Sequence, residues 1–267
     1  MKVHNKVIVV TGAGSGIGRE LVLRLLSKGA LVAGVDLNSG SLGETAVLAA
    51  RYASAFGGFV LNVADRPAVD ALPAQVLARF GRVDGVINNA GIIQPFSRLN
   101  ELDYSTIERV MNVNFYGTLF VTKAFLPHLL KRPEAHIVNL SSMGGFVPVP
   151  GQTIYCAAKA AVKLMTEGLA AELAHTKVRV TVACPGAVAS NIRANSGLKS
   201  PITHEANGNA KALPASKAAE IIVRGIEDHA HHVFVGKDAI LMDKFYRLSP
   251  ALAARTIAKK MRALLPD

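Results

Sequence analysis

A run of alternating glycines, TGAGSGIG over residues 11–18, ends a short β-branched stretch and opens a helix-prone one. Without side chains, such a turn lets the backbone approach a pyrophosphate closely. The N–H groups and positive dipole end of the following helix then hold the negative charge. Gly12, Gly16 and Gly18 make a T-G-x-x-x-G-x-G arrangement, with Ser15 and Ile17 between them, and the commoner G-x-G-x-x-G spacing is absent. Asp36 closes the next β-rich run, VAGVD. A carboxylate there accepts hydrogen bonds from ribose hydroxyls and repels a 2′-phosphate. No lysine or arginine stands at Ser15, Leu37 or Asn38 to offset such a phosphate, so NAD is expected over NADP. A plain tight turn and a loop-capping carboxylate are the alternatives to these two readings.

Further motifs follow in order: NNAG at 88–91, Ser142 within NLSSMGG, Tyr155 within YCAAK, and Pro185-Gly186. Each is weak alone, since an isolated Tyr-x-x-x-Lys is commonly an amphipathic helix with a solvated lysine. Together, with the tyrosine 13 residues after the serine, they make the chain resemble the short-chain dehydrogenase/reductase family, Tyr-x-x-x-Lys type. The resemblance runs from about residue 5 to about residue 236. It implies an enzyme that transfers a hydride between a nicotinamide cofactor and an alcohol or ketone carbon.

The chemistry explains the residue types. Hydride transfer to a ketone leaves negative charge on oxygen, so a proton must arrive, and the reverse reaction must remove one. Tyr155 is the expected acid/base, although a free phenol has a pKa of about 10. A nearby positive charge lowers that value, and Lys159 lies four residues on, on the same helical face. The resemblance adds that Lys159 holds the nicotinamide ribose. Ser142 offers a hydroxyl to orient the reacting oxygen. The resemblance also implies that Asn114, in MNVNFYG, supports a proton relay through water to the lysine; it is chosen over Asn112. By matching positions, Asn62 and Val63 stand beside the adenine, with asparagine in place of the usual aspartate. Asn89, Ala90 and Gly91 line the adenine ribose and support the sheet, while Pro185, Gly186, Val188 and Ser190 pass the nicotinamide. The bland alternatives are a strand-end hydroxyl for Ser142 and a helix-bending amide for Asn114. An inactive NAD-binding regulator or scaffold is the rival function, and the intact serine, tyrosine, lysine and asparagine argue against it.

Positioning these groups requires parallel strands. Near-continuous apolar runs at Lys6–Thr11, Leu31–Asp36, Gly58–Val63, Val83–Asn88, His136–Ser141 and Val178–Cys184, with a further one at His232–Val235, read as strands covered on both faces. Helical stretches between them include Gly18–Lys28, Ala68–Phe80, Tyr104–Leu130 and Thr153–His175. The alternation predicts an α/β fold: a single Rossmann-like doubly wound sheet of about seven strands with helices on both faces. Residues 1–240 are expected to form the dinucleotide-binding and catalytic domain, with a polar substrate lid at 190–213. Residues 241–267 read as a basic helical extension of the same domain.

The chain has 267 residues, half of them apolar, no tryptophan, two cysteines and a formal net charge of +11. That composition supports a full core and excludes a disulfide scaffold or a disordered chain. The positive residues are scattered except near the end, so nucleic-acid binding is not expected. His229, His231 and His232 lack companion ligands in sequence, and no metal is expected. No apolar window is long enough for a membrane span, and a cytoplasmic protein is expected. The 142–152 loop supplies Met143, Phe146, Val147, Pro148 and Val149, with Gln94 and Phe96 facing it, which favours a hydrophobic small-molecule alcohol or ketone. Pro250 should open a helix with Ala254, Ile257, Met261, Leu264 and Leu265 on one side. That stripe is expected to pack on its own domain or in a homodimer or homotetramer, with an anionic membrane surface as the less favoured alternative.

Overall fold

The computed structural model describes residues 1–198 and 212–262. In chain order the elements are β1 (Val7–Thr11), α1 (Gly16–Ser27), β2 (Leu31–Asp36), α2 (Ser39–Leu48), β3 (Phe56–Val60), α3 (Arg66–Phe80) and β4 (Gly85–Asn88). Then come α4 (Tyr104–Met111), α5 (Gly117–Leu129), β5 (Ala135–Leu140), α6 (Thr153–Glu172), β6 (Val178–Pro185) and β7 (Val188–Ala189). The described chain ends with α7 (Ile192–Asn195), β8 (Leu213–Pro214), α8 (Ala215–Glu227), β9 (His232–Val235), α9 (Lys237–Leu248) and α10 (Pro250–Met261).

Seven strands form one parallel sheet in the order β3-β2-β1-β4-β5-β6-β9. The chain winds outward from β1 to β3, crosses back to β4, and winds outward again to β9. This reversal opens a crevice beyond the carboxyl ends of β1 and β4, where open α/β sheets bind ligands. All of β1 is buried, and its side chains alternate between two cores. Ile8 and Val10 pack with Leu21, Leu25, Ile222 and Ile226. Val7 and Val9 pack on the other face with Val69, Leu72, Val121 and Phe125. The unbroken apolar runs in the sequence are the consequence of this two-sided burial.

Two elements depart from the sequence expectation. The third strand is Phe56–Val60, not Gly58–Val63. Its pairing begins with Phe56 opposite Val32. After Leu61 N–H bonds Asp36 O, the Asn62 side chain accepts from Ala64 N at 3.0 Å and its carbonyl accepts from Asp65 N, which turns the chain into α3. The stretch Tyr104–Leu130 is not one regular helix: a π-helical turn at Asn112–Tyr116 separates α4 from α5. Such turns concentrate at functional sites, and Asn114 lies in this one.

In the tail, Pro250 opens α10, as the sequence predicts. Ala253 and Ile257 are its buried residues, with Ala254 and Met261 half-buried, so the helix packs on its own chain. Leu264 and Leu265, and residues 199–211 of the expected lid, lie outside the described residues. No helix among the described residues is long and apolar enough to cross a membrane.

His136 on β5 is buried, with Nε2 2.8 Å from Thr181 Oγ1 and no partner for Nδ1. Burial, reinforced by nearby positive charge, pushes its pKa down to about 3. Between about pH 3 and 6.5 the unfolded chain therefore binds a proton that the folded chain refuses, and stability falls as the pH drops below about 6.5. Going from pH 7 to about 4.5 should cost roughly 2–3 kcal/mol through this residue. Urea titrations of the native chain and His136→Gln at both pH values test it. Equal losses in the two proteins would remove His136 as a source.

Candidate active site

The glycine turn is held shut by contacts that leave no room for side chains. At Gly12, where φ is +67°, a Cβ would lie 2.8 Å from Asn89 Nδ2 and 2.9 Å from Ala90 Cα. A Cβ on Gly18 would overlap the Gly12 carbonyl oxygen. Asn89 Nδ2 donates to Thr11 O at 2.9 Å and Gly12 O at 3.2 Å, and Thr11 Oγ1 accepts from Asn89 N and Ala90 N, each at 3.0 Å. Asn89 and Ala90 thus fasten β4 to the turn. Ser15 makes no side-chain cap, and the first turn of α1 carries no acidic residue, so its N–H groups face the crevice without a built-in anion. Ser15 Oγ instead accepts from Asn195 Nδ2 at 2.8 Å. A Cβ on Gly16 would meet Ser190 Cβ at 3.3 Å, so the segment after β7 lies against the turn.

The Asp36 carboxylate accepts from Gly14 N at 2.7 Å and from Asn38 N at 2.9 Å. It therefore anchors the turn while retaining further acceptor capacity. Leu37 beside it is exposed. A cation that the sequence inspection missed sits close by. The Arg19 guanidinium bonds Gly14 O, Thr45 Oγ1 and Ser41 O, and pairs with Glu44 at 2.6 Å. Its position one helical turn after Ser15 was the available signal.

Tyr155 lies near the start of α6, and Gln94 fixes that start. Gln94 is fully buried; its Oε1 accepts from Ile154 N and Tyr155 N, each at 3.0 Å, and its Nε2 donates to Gly151 O at 3.2 Å. Gln152 Nε2 returns a bond to Gln94 O at 2.8 Å. Gln94 is thus the cap of α6 and not a substrate-facing residue, a role invisible at 60 residues' remove in sequence. Val147 is likewise fully buried, whereas Met143 and Phe146 remain half-exposed.

Burial pushes the Tyr155 phenol up to about 12, opposed by a hydrogen bond with the Ser142 side chain. Ser142 Oγ also accepts from Gly144 N at 3.1 Å. Burial pushes Lys159 down to about 8. Its ammonium bonds Leu140 O at 3.0 Å and sits 5.9 Å from the Tyr155 ring centre. Asn114 is fully buried: Oδ1 accepts from Ile92 N at 3.2 Å, and Nδ2 donates to Ile92 O and Val110 O, each at 2.9 Å. A Cβ on Gly91 would meet Asn114 Oδ1 at 2.8 Å and Lys159 Nζ at 3.2 Å, so these two polar groups converge on Gly91. Asn112 is exposed.

The remaining positions are arranged around this centre. Asn62 is exposed, with its amide oxygen already accepting from Ala64, and Val63 packs against Gly117. Pro185 ends β6 and Val188 pairs with Leu213 in the small β7–β8 ribbon. The turn between them is pinned by Asp238, whose carboxylate accepts from Ala187 N at 2.7 Å and fills the space a Cβ on Gly186 would need. Pro148, Val149, Pro150, Thr153 and Cys156 face Ala254, Arg255 and Ala258 of α10 across a cavity of about 440 Å³. His232 bonds Glu167, while His229 stacks on His136 elsewhere, so the histidine cluster does not converge.

Replacing Gln94 by leucine removes the acceptor for two buried N–H groups at the start of α6. We expect a stability loss of about 1–3 kcal/mol, and a fall in kcat that exceeds any change in cofactor affinity. Denaturant melts with steady-state kinetics check this, and a wild-type melt would contradict the capping role.

Comparison with known proteins bears on the family and the fold. The family model described as short chain dehydrogenase matches residues 6–200. SadH of Mycobacterium tuberculosis, named only as an oxidoreductase, is 38% identical over 270 residues, covering 98% of each chain. The 3-oxoacyl-[acyl-carrier-protein] reductase FabG of Thermotoga maritima is 37% identical over 188 residues, covering 70% of this chain and 75% of its own. A short-chain dehydrogenase/reductase from Burkholderia phymatum, solved with NAD, superimposes with a TM-score of 0.86 at 25% identity, covering 94% of this chain and 96% of that one. A sheet that reverses between β1 and β4, a side-chain-free turn at the reversal and these matches have one account: the chain belongs to the short-chain dehydrogenase/reductase family of NAD(P)-dependent oxidoreductases.

Proposed function

We propose that the chain transfers a hydride between NAD(H) and the alcohol- or ketone-bearing carbon of a hydrophobic substrate, with Tyr155 as the acid/base. The observation that carries this reading is geometric: Ser142 Oγ and Tyr155 Cε1 meet over Gly144, each 3.6 Å from where a Cβ would stand, while Lys159 and Asn114 converge on Gly91. The turn at Gly12, Gly16 and Gly18 fits a dinucleotide, because it presents the uncapped N–H groups of α1 to the crevice and its glycines pack on Asn89, Ala90 and Ser190 where a Cβ would intrude. Asp36, free to accept further bonds, fits the adenosine ribose of NAD and opposes a 2′-phosphate. Arg19 does not overturn that preference, since Glu44 and three backbone or hydroxyl oxygens already engage it. The nicotinamide, when bound, accepts or donates the hydride.

The chain's own groups handle the proton. In the buried site Tyr155 holds its proton at neutral pH, ready to give it to a carbonyl oxygen that Ser142 orients. In the oxidative direction the phenol must first lose that proton, and the Lys159 ammonium favours the loss. Its charge is itself retained only below about pH 8. The apolar cavity walls at Pro148, Val149 and Pro150 support a hydrophobic substrate.

Turnover of a panel of apolar alcohols and ketones, read as NADH absorbance, tests the reading. Tyr155→Phe should keep NADH binding, seen by fluorescence, while kcat falls about 10²- to 10⁴-fold; near-native turnover would dismiss Tyr155 as the acid/base. Alcohol oxidation should rise from about pH 6 to pH 8, because the reactive phenol is the deprotonated one, and ketone reduction should not share that rise. The wild type should prefer NAD in kcat/KM, and Asp36→Ala should narrow that preference; a native preference for NADP would show that Asp36 does not set cofactor choice.

A further inference from the structure

α10 is anchored by one edge and leaves another open. Ala253 and Ile257 are buried against the chain, whereas Ala254 and Ala258, one turn apart, line the cavity opposite Pro148, Val149 and Pro150. Small side chains at these two positions keep the space empty; larger ones would fill it. The cavity holds about 440 Å³, within the range of small-molecule sites. Cys156 and Thr153 form its wall on the α6 side. Cys156 neighbours Tyr155, and both reach the same point over Gly144: a Cβ there would lie 3.1 Å from the thiol sulfur and 3.6 Å from Tyr155 Cε1. Cys156 therefore belongs both to the cavity wall and to the surroundings of Gly144, where Tyr155 also lies.

Among its lining residues one is charged. Arg255 is exposed at the cavity, and no hydrogen bond or ion pair engages it among the described residues. Lys259 and Lys260 stand exposed on the same helix and add to the positive field. Apolar walls cannot satisfy a polar head group, and a lone guanidinium is suited to a carboxylate, which it can hold through two parallel hydrogen bonds. We infer that this cavity takes the anionic end of the substrate, the carboxylate of an aliphatic chain, with Arg255 as the residue that selects it. The inference rests on the hydride-transfer reading for its catalytic consequence but not for the binding itself.

Two measurements separate the two claims. Isothermal titration with octanoate and with 1-octanol reads the cavity without turnover. Octanoate should bind saturably and less tightly at high salt. Arg255→Gln should weaken octanoate about five- to tenfold and leave 1-octanol unchanged. Ala258→Phe, at an exposed position of α10, should weaken both by filling the space, while NADH fluorescence stays native. Absence of octanoate binding to the wild-type chain, equal octanoate affinity in Arg255→Gln, or parallel loss of both ligands in that variant would each overturn the inference. In turnover, 7-oxooctanoate should exceed 2-octanone in kcat/KM, and Arg255→Gln should erase that advantage; an advantage that survives the substitution would also overturn it. Native NADH and octanoate binding with no turnover of any alcohol or ketone would fail the hydride-transfer reading and leave the carboxylate site standing.

Discussion

The structure depends on the close approach of the first strand–helix turn to the end of β4. Gly18 sits directly on the Gly12 carbonyl, and Gly12 sits on Asn89 and Ala90, at separations that no side chain tolerates. Thr11 and Asn89 lock the two strand ends together through four hydrogen bonds. Because the sheet order reverses between β1 and β4, this clasp lies at the base of the crevice. Widening it would displace the N-terminus of α1, Asp36 through its bond to Gly14, and Gly91 with the groups that converge on it.

Tyr155 and Lys159, the groups proposed to handle the proton, are governed by burial more than by their mutual charge. Tyr155 and Lys159 share one helical face, yet the phenol is pushed up and the ammonium down, because both leave water. The lysine is held by the Leu140 carbonyl and lies near Asn114, not in contact with the phenol oxygen. Such a site stores reactivity: small changes in local charge shift two protonation equilibria that are already displaced from their solution values. Its geometry in turn rests on Gln94, which caps α6 from a segment far away in sequence. Within the π-helical turn Asn114 is buried while Asn112, two residues earlier, faces solvent.

The C-terminal segment reaches back to the crevice. Asp238 at the start of α9 pins the turn after β6, and α10 closes one side of a cavity beside α6. Both act on the crevice from outside the residues matched by the family model, which ends at residue 200.

Much of this was legible from residue order. Apolar runs spaced by amphipathic stretches determined a parallel sheet covered on both faces, since strands buried on two sides cannot alternate with polar residues. The glycines, Asp36, Ser142, Tyr155 and Lys159 could be nominated as site candidates because the chemistry they offer is local: a glycine-rich turn, a strand-end carboxylate, a phenol one helical turn from an ammonium. What the sequence could not reveal was decided across the fold. The third strand stopped at Val60 because Asn62 found a turn partner. Gln94 became a cap by meeting α6 across about sixty residues, and Arg19 was neutralised by Glu44 from α2. Arg255 acquired a cavity only through the docking of α10. Local pattern specifies which backbone forms and which groups are available; hydrogen bonds and burial between distant segments, which leave no periodic trace, decide where those groups point.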